Sequence, residues 1–257
     1  MKKTISLLTI MLPSFILLFC TASVSEKNKN IKAQKTKNLE NRVVVLELFT
    51  SQGCSSCPPA DRLLGKYAND ENVIALSFHV DYWNRLGWKD PFSSAAYSRR
   101  QKDYAGLFKL NGVYTPQLVA NGEKEMVGSN ATKISNTIRT TELQAPTAHI
   151  NINTVKVDDT KATINYITQG SENNSTLNIA LVQAKITTPI KAGENNGLNL
   201  TNYNIVRSFK TIPSAADGTN TVSLDLVSGV EKKDYSIVVF LQNSKTYKIS
   251  AASKSAL

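Results

Sequence analysis

The chain is poor in thiols and imidazoles, with three cysteines and two histidines in 257 residues. So few cysteines exclude a disulfide-dense miniature fold. Long apolar runs are missing too: the longest, Ile5 to Phe19, is broken by Pro13-Ser14 and falls short of a bilayer span, which excludes a polytopic membrane protein. There is no Walker loop, no dinucleotide-binding glycine pattern, no nucleophile elbow and no internal repeat. With 41% hydrophobic and 19% charged residues the chain is not a disordered polymer, and its length suits one large domain or two modest ones.

The formal charge of +10 suggests nucleic acid until its distribution is read. Residues 1–42 hold eight Lys/Arg against Glu26 and Glu40, leaving only +4 for residues 43–257. The basicity therefore sits mainly ahead of the folded part, and no nucleic-acid partner is expected. Lys2 and Lys3 followed by the apolar run and small residues read as an export leader over residues 1–24, the other reading being a cytosolic protein with an apolar start. Either the leader is cut after Ala22 or Ser23, or Leu17-Leu18-Phe19-Cys20 acts as a lipobox and Cys20 becomes a lipidated membrane anchor. Residues 25–41 are polar, cannot bury enough surface to offset chain entropy, and read as a disordered tether. The protein is expected in the periplasm, free or anchored to a membrane facing it.

Under either cleavage, Cys54 and Cys57 are the only thiols of the folded region. Val43 to Phe49 is a β-rich run and reads as a buried strand. Thr50 to Gly53 is a loop, and from Ala60 the residues Leu63, Leu64, Tyr67 and Ala68 recur at helical spacing. Pro58 and Pro59 suit a first helical turn, where missing amides cost little. The order is strand, loop, Cys-x-x-Cys, helix. At a helix N-terminus the dipole and free amides stabilise a thiolate, the attacking species in disulfide exchange. Cys54 is the expected nucleophile and Cys57 the resolving thiol. A staple is the first alternative, although closing so short a loop yields only about 2 kcal/mol, against about 4 or more for long loops. A metal site is the second, although two thiolates make half a tetrahedral zinc site.

From these residues the chain resembles the thioredoxin superfamily. Leu110 to Glu123 is similar to the second half of that fold, in which a cis-proline precedes a strand and a tight hairpin. Asn121-Gly122 predicts, independently, a type I′ turn between strands Gln117–Ala120 and Lys124–Val127. The resemblance implies a cis Thr115–Pro116 bond whose backbone lies against the Cys54 sulfur and pairs with an extended substrate. Glu47 to Asp61, His79 to Trp83, Leu86 to Phe92 and Tyr114 to Gln117 also resemble a family of exported bacterial thioredoxin-like proteins of unassigned function.

Thioredoxin-like enzymes often carry a buried acid beneath the cysteines, and Glu47 is the candidate to shuttle the Cys57 proton; a solvent-facing or ion-paired strand residue is the alternative. His79 shares one face of the expected strand Val73–Asp81 with Asp81 and is expected to tune a cysteine, to serve structure, or to complete a copper site with Cys54 and Cys57. Trp83 and Trp88 are expected as an apolar substrate wall or a core lid. Residues 93–110 form a helix with Ala96, Arg100, Tyr104 and Phe108 in register, Arg99 and Arg100 being solvated. Ile134, Ile138 and Leu143 mark a closing helix.

After residue 145 the pattern becomes all-β. Runs at 148–157, 161–168, 176–186, 203–210, 220–227, 235–242 and 245–251 predict an immunoglobulin-like sandwich, with no catalytic constellation in the long turn 191–202. His149 at the junction reads as structural. The expected architecture is α/β: a thioredoxin-like domain over 42–145, then a β-sandwich over 146–257. The expected activity is thiol–disulfide exchange without a cofactor, with protein thiols or disulfides and a redox partner as its counterparts; metal delivery and redox-inert recognition are the other two readings.

Overall fold

In the computed structural model, the description covers residues 43–228 and 231–257. The leader, the tether and Cys20 lie outside the described residues. The first strand, β1 (Val44–Thr50), is buried along its whole length, as its Val/Leu/Phe composition requires. It pairs in parallel with β2 (Val73–His79) and antiparallel with β3 (Gln117–Ala120), and β3 turns into β4 (Lys124–Val127). The hairpin turns at Asn121 and Gly122, both at positive φ, as the Asn-Gly pair predicts. Only glycine fits there, since a Cβ on Gly122 would lie 1.8 Å from the Tyr247 carbonyl oxygen.

Three helices flank these strands. α1 (Pro58–Lys66) starts with both prolines in its first turn. α2 (Ala95–Leu107) is capped by the Ser94 hydroxyl, which accepts from the Ala96 amide, and α3 (Ala131–Glu142) by Asn130. The alternation of β1 decides what each face meets. Val44, Leu46 and Leu48 pack with Ala60 and Leu64 of α1 and Ile134 and Ile138 of α3. Val45 and Phe49 join Phe78, Tyr97 and Tyr104 on the α2 side. Leu143 caps α3 from outside, exposed, instead of closing its buried face.

The second half forms seven strands: β5 (His149–Val157), β6 (Lys161–Gln169), β7 (Ser175–Pro189), β8 (Asn199–Pro213), β9 (Gly218–Asp225), β10 (Tyr235–Asn243) and β11 (Ile249–Ala256); six follow the expected runs, while residues 245–248 of the last run lie in the connecting turn and its strand begins only at Ile249. They are not confined to sheets of their own. β8 pairs in parallel with β2 at Ser77 and Ile205, so one eight-stranded sheet runs β11-β10-β7-β8-β2-β1-β3-β4. Only β5, β6 and β9 form a second, three-stranded sheet, which buries Ile150, Ile164 and Leu224 against Ile179, Leu181 and Val239 of the large one. The fold is therefore mixed α/β with a dominant sheet and few helices. The boundary expected at 145/146 divides the sequence but not the sheet. β8 also supports α1 directly: a Cβ on Gly65 would meet the Tyr203 ring at 2.7 Å.

Candidate functional site

Cys54 and Cys57 form a disulfide at the start of α1, their Cα atoms 5.5 Å apart. Cys57 caps the helix and its carbonyl accepts from the Ala60 and Asp61 amides. Neither cysteine has exposed surface, whereas Ser55 and Ser56 between them are exposed. The Thr115–Pro116 bond is cis. Thr115 Oγ1 donates to Cys54 Sγ at 3.2 Å, and the Thr115 carbonyl oxygen lies 4.0 Å from the same sulfur. The half-buried Trp83 holds that threonine, its indole N–H donating to Thr115 Oγ1 at 2.8 Å. Cys54, Cys57, Thr115, Pro116 and Trp83 are thus brought together.

Glu47 is not with them. As an odd-numbered residue of β1 it points to the α2 side, away from α1. Arg100 clasps its carboxylate with two hydrogen bonds of 2.5 and 2.9 Å, and the Tyr104 hydroxyl donates to it at 2.6 Å. Arg100, expected in solvent, is instead buried beside the Phe78, Tyr104, Phe209 and Phe240 rings. The ion-pair alternative for Glu47 is the one observed; the shuttle role is withdrawn. A cleft of about 560 Å³ opens on this side, lined by Arg100, Gln242 and Tyr247 and by no cysteine.

The acid on the cysteine side is Asp61. It follows Cys57 by four residues, one helical turn, and shares the buried stripe of Ala60 and Leu64. The Thr50 hydroxyl donates to Asp61 Oδ2 at 3.2 Å. Burial pushes its pKa up to about 6, and the field of His79 and the Thr50 hydrogen bond pull it only part of the way back. A carboxyl with that pKa exchanges protons close to neutrality.

His79 lies behind this group, fully buried, with Nδ1 2.7 Å from Asp90 Oδ2. Burial works against its charged form, but the Asp90 charge and hydrogen bond, with Asp61 behind them, raise its pKa above the usual value. Asp90 also accepts from the Gln52 amide at 2.8 Å and the Phe92 amide at 2.9 Å. Burial alone would raise its pKa; His79 and those amides lower it below the usual value. The pair thereby fixes the backbone two residues before Cys54. Gln52 spreads the same constraint, donating to Asn202 Oδ1 of β8 at 2.9 Å and accepting from the Trp88 indole at 3.1 Å. Among the described residues no group of three or more His, Cys, Asp or Glu is arranged to hold a metal ion.

The long turn after β7 also reaches the site. Asn195 Nδ2 donates to the carbonyl oxygens of Gln52 and Cys54 at 2.8 and 3.0 Å, and Glu194 Oε2 accepts from the Ser55 amide at 2.9 Å. Asp61 had a local signal, its four-residue step from Cys57 on the apolar stripe. Asn195, Glu194 and Asn202 had none.

The sequence profile of a family described as "Protein of unknown function (DUF1223)" matches residues 45–242, and the chain belongs to that family. A crystallised protein from Agrobacterium tumefaciens is 30% identical, with 86% of this chain and 96% of that one covered and a TM-score of 0.65. HBP35 of Porphyromonas gingivalis is 20% identical, with 84% and 76% covered and a TM-score of 0.58, a likeness of fold alone. No protein in the curated set matches the chain.

Proposed function

We propose that this member of the DUF1223 family is an exported thiol–disulfide oxidoreductase, its cysteine half thioredoxin-like and its second half an immunoglobulin-like sandwich that shares the same large sheet. The observation that carries the reading is the Cys54–Cys57 bridge at a helix N-terminus with Thr115 of the cis Thr115–Pro116 bond against Cys54 Sγ. Sulfur chemistry needs those parts: amides and a hydroxyl to hold the Cys54 thiolate, and an extended backbone segment beside it for the substrate. In the reducing direction the Cys54 thiolate attacks one sulfur of a substrate disulfide. The other sulfur leaves as a thiolate and is protonated. Asp61 takes the proton of Cys57, whose thiolate attacks Cys54 Sγ, re-forms the bridge and releases the second substrate thiol. Two electrons pass to the substrate. The oxidising direction runs the same bonds backward. The apolar leader supports an oxidising compartment, where a folded region with no other thiol would keep such a pair.

The test is reaction with oxidised glutathione. The reduced Cys57→Ala protein is expected to hold a stable mixed disulfide that wild type resolves, and Cys54→Ala to form none; equal trapping by both variants would remove Cys54 as nucleophile. A redox-inert bridge is favoured by one observation, the complete burial of both cysteines. Under the proposed activity, the groups around Cys54 must move aside for a substrate sulfur.

A further inference from the structure

The turn joining β7 to β8 is built to hold a shape. The Ile190 amide donates to the Leu198 carbonyl oxygen at 2.8 Å and the Gly197 amide to that of Ile190 at 2.9 Å, closing its neck. The Asn196 and Leu198 amides bond back within the loop, and Ile190 and Asn195 are buried. Asn195 docks the loop by its two bonds to the backbone at Gln52 and Cys54. This rigid seat carries Glu194, otherwise exposed, onto the amide of Ser55, the residue next to Cys54.

Free amides at the start of a helix stabilise a neighbouring thiolate. Here the amide adjoining Cys54 is already occupied by a carboxylate, which brings a negative charge of its own. We infer that Glu194 is a positioning residue that sets the redox balance of the cysteine pair, its carboxylate disfavouring the Cys54 thiolate and holding the couple toward the disulfide. The inference rests on the exchange reading above and deepens it. The bridge is neutral at Cys54 and the reduced form carries charge there, so a fixed anion and a sequestered amide both count against the reduced form alone. Linkage makes the effect reciprocal: reduction of the bridge disfavours ionised Glu194, while in the oxidised form the Ser55 bonds hold the Glu194 carboxyl below its usual range. The other ionisable groups around the cysteine loop are Asp61 on α1, His79 at the end of β2, Asp90 beneath Gln52, and Arg207 of β8, whose field reaches His79. None of these takes up the Ser55 amide, which goes to Glu194.

Two readouts on wild type, Glu194→Gln and Glu194→Ala test this, with Asn195 kept so that the loop stays docked. The first is the pH profile of Cys54 alkylation in protein reduced with dithiothreitol. The second is the equilibrium with glutathione, in which two glutathione thiols reduce the bridge and leave as glutathione disulfide. Removing the charge in Glu194→Gln is expected to lower the Cys54 thiol pKa by about half a unit, about threefold in thiolate, and to move the equilibrium toward dithiol in the same sense. Glu194→Ala, which also frees the amide, is expected to go further, and high salt to shrink the difference between wild type and Glu194→Gln. Profiles and equilibria unchanged in both variants, or shifted toward disulfide, would overturn the inference. If the wild-type bridge resists glutathione, the oxidoreductase reading fails by itself; the alkylation profile still decides the role of Glu194.

Discussion

Replacing Asp61 by asparagine removes a charge and keeps the shape of the side chain. In the native protein this carboxyl has a pKa of about 6 against an ordinary 3.8, burial being the main cause. A raised carboxyl pKa means that the folded state binds the proton more tightly than the unfolded one. Its favourable contribution is complete below the unfolded value and is lost as pH rises through the folded value. Above about pH 6 the ionised Asp61 therefore costs stability, on the order of 3 kcal/mol. Asparagine pays no such penalty, and its amide oxygen still accepts from Thr50. The attraction between this carboxylate and His79 is already contained in that shift. Urea unfolding of the oxidised protein should show Asp61→Asn more stable than wild type at pH 8 by as much as about 3 kcal/mol, with the advantage vanishing toward pH 4. For a chain of this size that upper limit corresponds to a rise in Tm of about 6–12 °C. An offset that is the same at pH 4 and pH 8, or a variant less stable at pH 8, would refute the reasoning.

Other consequences follow from the same geometry. Glu47→Ala leaves Arg100 buried without its carboxylate and should cost about 3–5 kcal/mol in denaturant unfolding, while the potential of the Cys54–Cys57 couple stays at the wild-type value; a changed potential would restore Glu47 to the site. Thr115→Val removes the hydroxyl that donates to Cys54 Sγ and should raise the Cys54 thiol pKa by about one unit in an alkylation profile, with no change expected if that hydroxyl serves Trp83 alone.

Much of the fold was legible because its signals are local. The Asn121-Gly122 turn carries its own backbone requirement, and the strands on either side fall where alternation put them. The seven later strands were equally plain, but their partners were not. β8 meets β2 through one registered pair, Ser77 with Ile205, and nothing in either segment names the other. A pairing set by tertiary packing merges what two stretches of different pattern suggest are two domains. The site divides the same way. Cys54, Cys57 and Thr115–Pro116 lie in segments with strong turn and helix chemistry. Glu47 was misplaced by strand parity: one residue along β1 exchanges the α1 face for the α2 face. Asp61 sat in view on the helix, its buried position readable from Ala60 and Leu64. Glu194 and Asn195 reach the cysteine loop across 139 to 143 residues, a distance over which composition and periodicity carry no information.

The central claim is that the Cys54–Cys57 bridge is a working couple. Its reduction potential, measured on the folded protein in glutathione buffers free of metal, tests that most directly. A working couple shows a reversible transition between about −270 and −120 mV, the span of exchange catalysts, and its place in that span tells whether the protein gives or takes disulfides. A bridge that stays oxidised below about −300 mV would be a structural staple and would contradict the account.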